Sequence, residues 1–274
     1  MSGRPRRTPR SGPAALALAL ALAVPAMAQD DAVTIGDLVP DEPPDLTGQF
    51  YTPTRGPFPL PEAATAPVPS GAPVTAAVYV PECASPAAPA DHVAHLQSLG
   101  LAVAVPRLGG DRCVVPTEHL GTVHDELEAV AADLADLDWI DGDALFLIGH
   151  GFGADVVSTY TEAGVFKGLV GFAAACPFGV QKVTPILTFR ALDDPVLRNR
   201  GTRCAQFETP NGLHLEFSGS DHVMRLGPGA AEGTGARELM RRALRAFLGV
   251  GEGGGPDAIT ERDELDLRQL GDGG

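Results

Sequence analysis

The chain has 274 residues, with 20 basic and 35 acidic side chains and a formal net charge of −15. A surface this acidic argues against nucleic acid and against anionic membranes as partners. The length is enough for one sizeable domain with a full core.

The first 28 residues read as a cleavable export signal rather than as structure. Arg4, Arg6, Arg7 and Arg10 give a basic start, Pro13 to Val24 is apolar, and Ala26-Met27-Ala28 fits a small-x-small cleavage site. The apolar run is too short to span a bilayer. The expectation is therefore a secreted or periplasmic protein with no transmembrane anchor after cleavage. The export route stays open, because Arg6-Arg7 is followed by Thr8-Pro9 rather than by the hydrophobic residues usual after a twin-arginine pair. Loss of the four arginines leaves 16 basic against 35 acidic residues, a net charge of −19.

Residues 29–73 form a proline-rich, acidic segment with one predicted strand at Gly48 to Tyr51. From Val74 the pattern becomes regular. Thr75 to Val80 reads as a strand, Ala90 to Leu99 as a helix and Leu101 to Pro106 as a strand. Glu118 to Leu137 carries apolar residues at three- and four-residue spacing, as an amphipathic helix does. Asp143 to Gly149 reads as a buried strand, and Ala154 to Tyr160 as the start of a helix. Phe166 to Ala174, Pro185 to Ala191 and Leu213 to Ser218 read as further strands, and Arg237 to Leu248 as a last amphipathic helix. Strands alternating with helices predict an α/β domain over 74–248, a doubly wound, mostly parallel sheet with helices on both faces. Residues 249–274, with GEGGG followed by acidic side chains, read as a disordered tail.

The chemistry of such a sheet sits at the carboxyl ends of its strands. Three segments are predicted there. Gly149-His150-Gly151-Phe152-Gly153 follows a strand and opens a helix, the context of a G-x-nucleophile-x-G elbow. Asp193 and Asp194 follow the strand ending at Ala191, where an acid belongs. His222 follows the last strand. Nucleophile position, acid, histidine is the chain order of the α/β-hydrolases. The centre of the elbow is Gly151, which has no side chain to attack with, and neither Ser85 nor Ser158 lies where it could substitute.

Four cysteines in an exported chain predict two disulfides, for which three pairings are open. Cys83–Cys113 and Cys176–Cys204 are favoured, because each joins loops at the same end of the sheet. The absence of CxxC or a His/Cys cluster speaks against a metal centre, and no cofactor is expected. His92 and His95, three apart on one helix, read as exposed surface. His150 reads as a packing residue, and Trp139 as the anchor of a helix-to-strand turn.

Residues 74–248 resemble the α/β-hydrolase fold, and most closely exported dienelactone-hydrolase-like proteins. The resemblance rests on WIDGDALFLIGHGFGA, PILTFRALDDP and the GSDH before the final helix; the two cysteine pairs also resemble a pattern in that branch. It implies a Cys or Ser nucleophile, a general-base histidine, an orienting aspartate, and hydrolysis of esters or lactones without a cofactor. His222 falls on the base, Asp194 on the acid with Asp193 as the fallback, and Gly151 on the nucleophile. The Phe152 backbone N–H falls on an oxyanion donor. Glu82 resembles a glutamate that dienelactone hydrolases place beside their cysteine. The leading expectation is a catalytically impaired relative that binds a small ester, lactone or carboxylate. The alternatives are a slow hydrolase using a His222-activated water and a structural or interaction protein of the cell envelope.

Overall fold

The computed structural model describes residues 48–60, 63, 66–71, 73–82, 87–108, 119–198, 201–207, 209–227, 234–250, 255 and 256. The chain divides into two units, 1–43 and 44–274, and every described residue belongs to the second. The export signal, Cys83, Cys113 and the tail beyond residue 256 lie outside the described residues. None of the described helices is long and apolar enough to cross a membrane.

Among the described residues eight strands form one sheet: β1 (Gly48–Tyr51), β2 (Phe58–Pro59), β3 (Val74–Val80), β4 (Ala102–Pro106), β5 (Ile140–His150), β6 (Gly168–Phe172), β7 (Ile186–Ala191) and β8 (Gly212–Phe217). Their order is β2-β1-β4-β3-β5-β6-β7-β8. β1 runs antiparallel to both β2 and β4, and all other pairs are parallel. The sheet thus begins within the proline-rich segment. Its outermost strand, β2, is two residues long and contains a proline, the composition tolerated at a sheet edge.

Among the described residues four helices cover the sheet: α1 (Ala87–Ser98), α2 (Leu120–Ala135), α3 (Phe152–Ser158) and α4 (Thr234–Leu248). The alternation of side chains along a strand sorts them into two layers. Ala76, Val78 and Val80 of β3 pack with Val123, Leu127 and Val130 of α2 and with Val156 and Val157 of α3. Ala77 and Tyr79 of the same strand face the other way, into a core with Val93 and Leu96 of α1 and Leu239, Leu244 and Phe247 of α4. Helices on both faces explain why β3, β5, β6 and β7 read as near-continuous apolar runs. Trp139, at the turn between α2 and β5, is buried and meets Phe50 of β1 edge to face at 5.9 Å.

The elements match the predicted ones to within a few residues, with two instructive differences. β5 starts at Ile140 rather than Asp143, because half-buried Asp141 and exposed Gly142 still extend the chain ahead of the buried run. α3 starts at Phe152 rather than Ala154, directly after the bend. The parallel register sets Val80 beside Gly149, Gly149 beside Gly171 and Ala191 beside Phe217. The segments that follow β3, β5, β7 and β8 therefore emerge along one rim.

Candidate active site

The bend between β5 and α3 is built from glycines, two of which leave no room for a side chain. A Cβ on Gly149 would lie 2.3 Å from the Gly153 carbonyl oxygen, and one on Gly153 would lie 2.1 Å from that of Val80. Gly151 has φ 55° and ψ −116°, a conformation that L side chains rarely adopt. Its N–H donates to the Phe172 carbonyl at 2.8 Å, and its own carbonyl accepts the first turn of α3 from the Asp155 N–H at 3.2 Å. Phe152 opens the helix, so its N–H belongs to the first turn, where intrahelical acceptors are lacking. The buried Asp155 carboxylate accepts the N–H groups of Ala175 and Cys176 at 3.1 and 3.0 Å and ties the loop after β6 to α3. That loop is also closed by the Cys176–Cys204 disulfide. Ser158 is buried and donates to the Asp155 and Gly179 carbonyls, away from the rim.

His222 lies between two carboxylates. Its Nδ1 is 2.6 Å from Asp194 Oδ2, and its Nε2 is 2.8 Å from Glu82 Oε2. Carboxylate oxygens only accept, so both ring nitrogens donate and the ring is an imidazolium. Burial lowers its pKa, but the hydrogen bonds and charges of Asp194 and Glu82 outweigh burial and push it up to about 9. Asp194 is buried and also accepts the N–H groups of Val196 and Leu197. Burial alone raises its pKa; the bond and charge of His222 with those two N–H groups prevail and hold it below the ordinary value. Asp193, the fallback acid, is exposed and has no place in this constellation.

Glu82 stands where a side chain on residue 151 would be. A Cβ added to Gly151 would lie 2.6 Å from Glu82 Cδ and 2.7 and 2.8 Å from its two carboxylate oxygens. The carboxylate of Glu82, two residues after β3, thus fills the space that a side chain on residue 151 would enter, and it accepts the hydrogen bond from His222 Nε2.

His92 and His95 are placed differently from expectation, and His95 is half-buried rather than exposed. His92 is fully buried rather than exposed, because it shares a helix stripe with Val93 and Leu96 that faces the sheet. Its Nε2 donates to the Met224 carbonyl at 2.9 Å, which leaves Nδ1 to accept the Tyr79 hydroxyl at 2.8 Å. His150 is indeed packed, edge to face against His92 and His222 at 5.4 and 5.3 Å. It also has polar work, since its Nε2 donates to the His222 backbone carbonyl at 2.8 Å. Asp91 accepts the N–H groups of Leu226 and Gly227. Together with His92 it fastens the loop carrying His222 to α1.

A sharp glycine bend after the fifth strand, an acid after the seventh and a histidine after the eighth, on a sheet of this order, decide the architecture. The chain has the α/β-hydrolase fold. No protein-family model and no curated protein matches it. Similar solved structures include a dienelactone hydrolase-like promiscuous phosphotriesterase from metagenomic libraries, at 16% identity and TM-score 0.47, covering 74% of this chain and 97% of that one. A dienelactone hydrolase from Anabaena variabilis is similar at 14% identity and TM-score 0.49, covering 67% and 89%. An alpha-beta serine hydrolase homologue from Coxiella burnetii is similar at 17% identity and TM-score 0.45, covering 65% and 86%. In this α/β-hydrolase fold the expected residues Glu82, Gly151, Asp194 and His222 come together. Cys176 and Cys204 are bridged as expected. Sequence reasoning missed the polar role of His150 and the burial of His92; for His92, the spacing to Val93 and Leu96 carried the signal.

Proposed function

We propose that this chain is an exported, dienelactone-hydrolase-like protein that no longer cleaves esters through a covalent intermediate and uses the old active site to bind a small molecule. One observation carries the reading: the Glu82 carboxylate occupies the nucleophile's volume and holds the proton of His222 Nε2. Without a nucleophile, oxyanion donors and binding retain about 10³–10⁴-fold over water, far below a working enzyme. Asp194 and Glu82 set two negative charges against one imidazolium, so a neutral ester or lactone is the better guest than a free carboxylate. The Phe152 N–H is the donor best placed in sequence for its carbonyl. Export is supported by the leader sequence and by the bridged cysteines, which fit an oxidising compartment.

The test is hydrolysis of short-chain aryl esters and lactones, with chelator present, by the wild-type chain and by Gly151→Ser/Glu82→Ala. The double variant rebuilds a Ser-His-Asp set and removes the carboxylate in its way. The wild type is expected to stay at background while the double variant gains at least ~10²-fold, within the range of an activated nucleophile. Saturable turnover by the wild type, with an acyl group found covalently on any of its residues, would refute the proposal.

A further inference from the structure

Beyond an ester-binding role, we propose that Glu82, His150 and His222 form a site for one Zn²⁺ ion. These three are a cluster of His, Cys, Asp or Glu donors whose ligand atoms all lie within 4.8 Å of one another among the described residues. Glu82 Oε2 is 2.8 Å from His222 Nε2 and 3.7 Å from His150 Nδ1. Ligands about 2.0–2.1 Å from a tetrahedral ion stand roughly 3.3 Å apart, so the two separations from Glu82 bracket the required edge, and the third, between the imidazoles, is within 4.8 Å. Side-chain adjustments of about an ångström close the rest.

The outer partners are already those of a metal site. His150 Nε2 donates to the His222 backbone carbonyl, which fixes the tautomer and leaves a lone pair on Nδ1. The His150 side chain is 0% exposed, and that Nδ1 has no hydrogen-bond partner among the described residues. A buried lone pair directed at a carboxylate is anomalous for a packing residue. It is what a cation between the two would satisfy. His222 Nδ1 is held by Asp194, giving the carboxylate–histidine arrangement that orients metal-binding imidazoles. Glu82 and His222 are each slightly exposed, at 11% and 12% of their side chains, so a fourth position is open to water or a guest molecule.

Two imidazoles and one carboxylate suit Zn²⁺ and neighbouring late first-row ions, and are poor for Mg²⁺ or Ca²⁺, which prefer oxygen. Binding displaces the proton that His222 Nε2 shares with Glu82, and this proton leaves to solvent. The spacing rules of sequence motifs could not show the site, since its members come from the end of β5 and two separate loops, His150 and His222 being 72 positions apart and Glu82 and His222 140.

The test is equilibrium dialysis of the full chain, chelator-treated and without reductant, against Zn²⁺, with bound metal measured by mass spectrometry. One equivalent with micromolar or tighter affinity is expected. Glu82→Gln and His150→Gln should each weaken it at least 30-fold, and Asp194→Asn by about 10–100-fold, while His95→Gln leaves it unchanged. Co²⁺ provides a second readout: an intense visible band of a four- or five-coordinate ion in the wild type, lost in Glu82→Gln. Uptake below one equivalent at 100-fold excess Zn²⁺, or uptake and a Co²⁺ band that persist in Glu82→Gln, overturns the proposal, including where His150→Gln does not fold. Metal uptake is read without ester and ester hydrolysis is read with chelator, so either proposal can fail alone.

Discussion

Placing a methyl group on residue 151 tests whether Glu82 holds the nucleophile's volume. Gly151→Ala puts a Cβ 2.6 Å from Glu82 Cδ, well inside van der Waals contact, and the flexible end of Glu82 must swing away. That breaks the 2.8 Å bond to His222, a charge-assisted hydrogen bond worth about 1.5–3 kcal/mol. A non-glycine residue at φ 55° and ψ −116° costs a further ~1–3 kcal/mol in backbone strain. The expected loss is about 2.5–6 kcal/mol. With Glu82→Ala already in place only the strain remains, so the same substitution costs about 1–3 kcal/mol. The coupling across the double-mutant cycle is therefore on the order of 2 kcal/mol. Urea unfolding of the four chains at pH 7, with chelator, measures it. A coupling under about 0.5 kcal/mol would show that Glu82 does not occupy this space and would remove the basis for the binding role.

Two further outcomes follow from the same structure. Cys176→Ala/Cys204→Ala opens a bridge spanning 28 positions, for which chain entropy gives about 3–4 kcal/mol of lost stability; an unchanged urea midpoint would contradict the bond. His92 and His214 have pKa values lowered by burial to about 4, so the folded state disfavours their protonation. Their contribution is complete above pH 6.5 and is lost as pH falls from 6.5 to 4, on the order of 3 kcal/mol for fully buried His92. His222 acts in the opposite sense: raised to about 9, it stabilises fully below pH 6.5 and loses that contribution as pH rises from 6.5 through 9. Chelator-treated protein should therefore be most stable near pH 6.5, and urea midpoints that stay flat from pH 7 to 4.5 would refute the assignment of His92.

The architecture was legible because buried parallel strands and amphipathic helices have distinct periods, and because the bend, Asp194 and His222 occur in a fixed chain order. Glu82 was marked by its position after the first parallel strand. Its occupancy of the volume at Gly151 was not, since that depends on a side-chain rotamer crossing the rim from another loop. His92 was misplaced because a polar residue beside Asp91 looks solvated until the Met224 carbonyl and Tyr79 hydroxyl, distant in sequence, provide its partners. β2 escaped notice because two residues including Pro59 leave no periodic signal. His150 was read only as packing because its ring edge meets chemistry brought by Glu82 and His222 from elsewhere in the chain.

The loop bearing His222 is gripped from both remote helices: α1 holds it through Asp91 and His92, and Arg241 of α4 donates to the Leu226 carbonyl at 2.6 Å. The imidazole therefore inherits its aim from helices on the far side of the sheet from α3. Substitutions at these holding residues, none of which lines the rim, should detune it by tilting one ring, and surveys that mutate only the lining would overlook them.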